Sequence, residues 1–207
     1  MGYTAITPDD WVAYVHGARE IPERCVMITF DDAYQDLSEH ALPALERKSF
    51  PATVFVPTSL VGKSIPCNPR EPGATLPIMT ATEIREWASR GVIFGAHSRS
   101  HIDLTSCPVR VAQDEIRGSQ ADLTNIIGGR VGAFAYPYGK LNDDVEEMAD
   151  ECFDISFTIE EGINDATTPL SSMKRTMVQH GDTIVDLLLR ARYGRSVLDK
   201  IRTVVSH

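Results

Sequence analysis

Cysteine is scarce in this chain and unpatterned: Cys25, Cys67, Cys107 and Cys152 form no C-x-x-C motif. Reduced thiols are therefore expected, and none is assigned to a metal. No stretch of about 18 apolar residues occurs, so no transmembrane helix is expected. Positive charge is also in deficit, with 20 Lys and Arg against 29 Asp and Glu and a formal net charge of −9. That balance argues against nucleic acid or another polyanion as the main partner. The opening Met1-Gly2-Tyr3-Thr4-Ala5-Ile6 has neither the basic start nor the apolar run of a secretory signal. Ile6 stands where a myristoylation motif after Gly2 requires Ser or Thr. A cytoplasmic location is expected for the chain as written, and an extracytoplasmic one if the N-terminus was trimmed. What remains is 207 residues, 43% hydrophobic and 24% charged, expected to form one globular domain over 1–207.

Short apolar runs alternate with helical patterns along the whole length. Thr7-Pro8-Asp9-Asp10 is a helix start, with Trp11, Val12 and Val15 as its inward stripe. Strands are expected over 25–30, 52–56, 92–96, 131–135 and 155–159, with a weaker sixth at 175–178. The helix expected over 36–48 carries Pro43 and should kink or start late. Thr80-Ala81-Thr82-Glu83 is a capping box, and Asn142 caps a further helix. A long helix over 108–127 should turn Val109, Ala112, Ile116, Ala121 and Leu123 or Ile126 inward and stop at Gly128-Gly129. Helices are expected again over 182–192 and 196–205. Ser59 to Pro77 is a long loop after a strand exit, placed to wall a cleft. Such βα alternation implies a parallel sheet covered by helices, open or closed into a barrel.

Two strand exits carry chemistry. Val26-Met27-Ile28-Thr29-Phe30 runs straight into Asp31-Asp32. Ionised carboxylates cannot sit unpaired in a core, and neighbouring residues point to different sides. One carboxylate could therefore hold a metal while the other handles a proton, although an Asp helix cap is the plainer alternative. Gly91-Val92-Ile93-Phe94 leads in the same way to His97-Ser98-Arg99-Ser100-His101, two imidazoles spaced to meet one zinc or to form a surface pair. Strand exits of α/β proteins share one rim. Asp32, His97 and His101 would there supply three ligands and leave positions open, the pattern of a catalytic metal site.

Thr29-Phe30-Asp31-Asp32, His97-Ser98-Arg99-Ser100-His101 and Phe134-Ala135-Tyr136-Pro137-Tyr138-Gly139 resemble, in order and spacing, the first three motifs of the NodB-homology polysaccharide deacetylases. Phe50-Pro51-Ala52-Thr53-Val54-Phe55-Val56-Pro57 is similar as well, and the likeness covers about residues 3 to 180. The resemblance implies an α/β fold, a distorted and incomplete (β/α) barrel of up to seven strands. It implies a divalent metal on Asp32, His97 and His101, with zinc first in view of the nitrogen ligands and cobalt, nickel or iron also admitted. Asp31 matches the family's base, which takes a proton from metal-activated water. The backbone N–H of Tyr138, held by Pro137, matches an oxyanion donor. The family's general acid is a histidine in a Leu-x-His motif; Val178-Gln179-His180 offers His180 with Val for Leu.

Two positions depart from the family pattern. Ala135 stands where an arginine usually steadies the base, and Arg175 is expected to reach in as its replacement. Ala33 stands where glycine is usual, at a cost of about 1 kcal/mol if φ is positive there. His16 and His40 are read as structural or surface residues. Arg190, Arg192, Arg195, Lys200 and Arg202 form a basic C-terminal segment, read as a solvated face. The leading functional expectation is a metal-dependent hydrolase that removes the N-acetyl group from an acetylated sugar. The alternatives are hydrolysis of another non-peptide C–N bond, as in a formamide or ureide, and a carbohydrate-binding relative weakened in catalysis. The oligomeric state is not indicated.

Overall fold

The computed structural model describes residues 2–66, 75–179 and 181–196. In chain order its strands are β1 Thr4–Ala5, β2 Cys25–Val26, β3 Thr29–Phe30, β4 Thr53–Val56, β5 Ser64–Pro66, β6 Thr75–Pro77, β7 Ile93–Ala96, β8 Ala133–Ala135 and β9 Ile155–Phe157. Its helices are α1 Pro8–Val15, α2 Leu42–Glu46, α3 Ala81–Ser89, α4 Val109–Ile127, α5 Asp143–Asp150 and α6 Ile184–Tyr193. Five strands make a parallel sheet in the order β3-β4-β7-β8-β9, curled into a half-barrel. Period-two alternation sorts its residues. Val54, Val56, Phe94 and Phe134 face the outer layer with Ile84 and Trp87 of α3 and Ile116 and Leu123 of α4. Phe55, Ala133, Ala135, Ile155 and Phe157 face inward and pack with Trp11 of α1 and with Met173.

Helix ends follow local chemistry. Thr7 and Asp10 exchange hydrogen bonds at the start of α1, and Thr80 with Glu83 and Thr183 with Asp186 do the same at α3 and α6. Asn142 Oδ1 accepts from the Val145 N–H at α5. Gly128 closes α4 in the left-handed conformation.

Several expectations are corrected. The expected first strand is two pieces, because Thr4–Ala5 pairs with Cys25–Val26 while Thr29–Phe30 pairs with Thr53–Val54. The 36–48 segment does start late, as expected from Pro43: a π turn at Leu37–Ala41 leads into α2, since Pro43 supplies no N–H for an ordinary α-helical bond. Residues 175–178 form no strand: beyond the single bridge between Phe157 and Met173 the pairing dwindles to the Arg175 N–H donating to Glu160 O at 2.9 Å. Met177 and Val178 are 63% and 64% exposed, with no layer over them among the described residues. In α4, Val109 and Ala121 are exposed, and the buried stripe is Ala112, Glu115, Ile116, Ser119 and Leu123. Ala121 lies about 200° around the helix from Ser119, so it faces solvent. The loop after β4 contains the β5–β6 hairpin. Its Pro77 and Met79 join the segment after Asp32, with Gln35 N–H donating to Pro77 O and Met79 N–H to Ala33 O. Cys67 and the expected helix beyond residue 196 lie outside the described residues.

Candidate metal centre

Asp31 and Asp32 occupy the turn that leaves β3. Asp32 and Ala33 both have positive φ, 68° and 52°. Ala33 thus takes the strained conformation anticipated for it while fully buried. Ser98, His101 and Tyr138 also have positive φ, at 58°, 55° and 59°. Left-handed non-glycine residues each cost on the order of 1 kcal/mol and persist where surrounding contacts over-determine them. Among the described residues, five of the six such cases gather on the three motif loops of one rim; the sixth is Ser49.

His97 follows β7 and is 2% exposed. Its Nδ1 lies 2.7 Å from Ala135 O, so Nδ1 carries the hydrogen and donates it. Nε2 is left with a free lone pair. Burial pushes this imidazole below the ordinary histidine range, against the pull of Asp31. A neutral ring is the form that binds a metal. His97 Nε2 and His101 Nε2 lie 3.9 and 3.5 Å from Asp32 Oδ1. The three ligand atoms all fall within 4.8 Å of one another. Donors about 2.1 Å from a tetrahedral ion stand about 3.4 Å apart. The donor set and its spacing fit one divalent cation.

Asp31 turns to the other side and meets Arg175. Arg175 Nη1 donates to Asp31 Oδ1 at 2.6 Å and Nη2 to Oδ2 at 2.8 Å. Its Nε donates to Thr158 O at 2.8 Å. The guanidinium carbon lies 5.5 and 5.9 Å from the ring centres of Phe55 and Phe157, in the inner cluster that also contains Ala135. Burial alone would raise the Asp31 carboxyl. The hydrogen bonds and charge of Arg175 outweigh burial and hold it below the ordinary value of 3.8.

Pro137, Tyr138 and Gly139 form one tight turn after β8, with Tyr138 and Gly139 both left-handed. The Tyr138 ring meets His101 edge-on, centres 4.7 Å apart, and is 55% exposed. Its backbone N–H makes no hydrogen bond with the described residues. Gly139, at φ 64°, has no room for a side chain: a Cβ would run into Ile159, 2.6 Å from its backbone N. His180 lies outside the described residues, and His40 is exposed, away from any role here. Glu115 belongs to none of the sequence motifs, yet its carboxylate accepts the N–H groups of Arg99 and Ser100. The signal available was an acid placed on the buried stripe of α4.

A family profile described as Polysaccharide deacetylase matches residues 18–152, well over half of the chain. This chain belongs to the polysaccharide deacetylase family. The family is metal-dependent, and Asp32, His97 and His101 form a candidate site for that metal. Among its relatives, the YxkH protein of Bacillus subtilis is 25% identical over 181 residues, covering 87% of this chain and 61% of that protein. A poly-beta-1,6-N-acetyl-D-glucosamine N-deacetylase of Staphylococcus epidermidis is 26% identical over 166 residues, covering 75% of this chain and 55% of that protein. This family member therefore spans a little over half the length of those relatives. The Streptococcus pyogenes deacetylase PplD, solved in complex with acetate, superposes with a TM-score of 0.78 at 26% identity, over 90% of this chain and 79% of that one. IcaB of Ammonifex degensii shares the fold, with a TM-score of 0.76 at 22% identity over 94% of this chain and 83% of that one. The α/β half-barrel expected for the family is the fold observed here.

Proposed function

We propose that this chain hydrolyses the acetamide of an N-acetylated sugar, releasing acetate and a free amine. The observation that carries the reading is the convergence of Asp32, His97 and His101 within 4.8 Å, beside an Asp31 carboxylate locked by Arg175. Membership of the family and its N-deacetylase relatives support it. Two imidazoles and one carboxylate favour zinc as the ion. When bound, a divalent cation would polarise the acetamide carbonyl and make the attacking water more acidic.

The chain's own groups account for the rest. Asp31, kept ionised by Arg175, accepts the proton of the water whose oxygen attacks the carbonyl carbon. The Tyr138 N–H, held in its left-handed turn by Pro137 and Gly139, donates to the oxygen that gains negative charge. Collapse breaks the C–N bond, and the nitrogen takes a proton as it leaves, a role proposed for His180. The exposed Tyr138 ring gives the sugar a face to pack on.

The test is an activity panel with the zinc-loaded protein over N-acetylglucosamine oligomers, formamides and ureides, with Asp31→Asn as the inactive control. Acetate from the sugars supports the proposal. Formate or ammonia as the only product points to another C–N hydrolase. Zinc binding with no product from any substrate points to a binding protein.

A further inference from the structure

We infer that Glu115 of α4 is a positioning residue for the metal: it sets the loop from which His97 and His101 reach the ion. This rests on the metal-centre reading above. The loop has an unfavourable backbone, with Ser98 and His101 both left-handed, so something outside it must define its shape. Glu115 Oε2 accepts the Arg99 N–H at 2.8 Å and the Ser100 N–H at 2.7 Å. One carboxylate oxygen therefore fixes the two residues midway between the ligands. On the other side of the loop, Ser98 O and Arg99 O accept from the N–H groups of Thr58 and Ser59 at 3.2 and 2.8 Å. Within it, His101 N–H donates to Ser98 Oγ at 2.9 Å.

The same helix also holds the loop's one long side chain. Arg99 donates through Nε and Nη2 to Asp122 at 2.8 and 3.0 Å, and through Nη1 to Asp114 at 3.1 and 3.0 Å. Gly118 leaves the channel it runs through, since a Cβ there would sit 2.5 Å from Arg99 Cζ. A glycine in mid-helix and a buried acid on the apolar stripe each weaken α4 as a helix. Both are accounted for if α4 acts as the clamp for the ligand loop. Glu115 touches neither ion nor substrate; it acts through His97 and His101, as outer partners of metal ligands do.

The experiment uses the full chain stripped of metal. The zinc dissociation constant is measured by competition with a chromogenic chelator, and the thermal midpoint is measured without metal, for the parent, His97→Ala, Glu115→Ala, Glu115→Asp and Glu115→Gln. Glu115→Ala is expected to weaken zinc binding about 10- to 100-fold. Glu115→Asp, which keeps the charge but withdraws the oxygen, should weaken it several-fold. Glu115→Gln should stay within about threefold, because its amide oxygen still accepts both N–H groups. A merely structural acid would lower the metal-free midpoint and leave the zinc constant alone. If Glu115→Ala fails to fold, Glu115→Asp carries the test. A zinc constant within about twofold of the parent in the folded Ala variant, or in the Asp variant, overturns the inference. If the parent itself binds no zinc, or His97→Ala binds it equally well, the metal-centre reading falls too. If only the Glu115 variants are unchanged, the inference falls alone.

Discussion

Arg175 and Asp31, 144 positions apart in the chain, meet in a two-point ion pair with both N–O distances under 3 Å. The guanidinium lies over Phe55 and Phe157, in the inner cluster that also contains Ala135, where the family pattern carries an arginine. Its effect is to hold the carboxylate next to the metal-ligand turn charged and fixed in direction.

Removing that guanidinium should therefore cost turnover. Arg175→Ala is expected to lower kcat/KM at least tenfold, since the base loses the contacts that aim it. Arg175→Lys should recover only part, because one ammonium cannot make both contacts. Steady-state kinetics on an acetylated oligomer decide it, and full activity in Arg175→Ala would end the proposed role.

Base and metal ligands should separate cleanly. Asp31→Asn is expected to keep stoichiometric zinc while turnover falls roughly 10²- to 10⁴-fold. His97→Ala should lose both. Metal analysis beside acetate release checks this; loss of zinc in Asp31→Asn would show that Asp31 is a ligand and not a base.

Chelation should be felt in stability as well as in activity. Free zinc at 100 times its dissociation constant should stabilise the fold by about 2.7 kcal/mol if it binds only the native state. A chelator should therefore lower the thermal midpoint, and added zinc should restore it. A midpoint indifferent to zinc argues that the ligands are not held in the fold.

The turn after β8 permits no side chain at its last residue. Gly139→Ala should destabilise the protein by roughly 1–3 kcal/mol, from the left-handed backbone and the collision with Ile159. Denaturant midpoints measure it, and a neutral result would mean that this turn relaxes freely.

One acid titration can be traced to a single pair. The hydrogen bond from Arg99 holds the Asp122 carboxyl below its ordinary 3.8, helped by Thr58 and opposed by burial. A depressed carboxyl contributes stability above its unfolded pKa and loses it as pH falls through the lower folded value. The parent's thermal midpoint should therefore fall more steeply than that of Asp122→Asn as pH drops below about 4. Parallel curves would show that the pair adds nothing measurable.

Much of this protein was readable before any folding was considered. The capping boxes at Thr7, Thr80 and Thr183 and the glycine stop at Gly128 involve groups only a few residues apart, so local chemistry specifies them. The motif residues were equally plain, because the alternation of strand and helix sends every strand exit to one rim. A strand at 175–178 looked credible from residue type, yet it fails because burial depends on which other elements come to cover it. Glu115 looked like one more acid on a helix, and its two bonds to the His97–His101 loop exist only once α4 packs against β7. The sequence by itself determined which groups could do chemistry and roughly where along the rim they emerge. Only the tertiary structure decided that Arg175 faces Asp31 and that the three ligand atoms share one space. Such distances depend on how the sheet curls, and residues far apart in the chain carry no local sign of it.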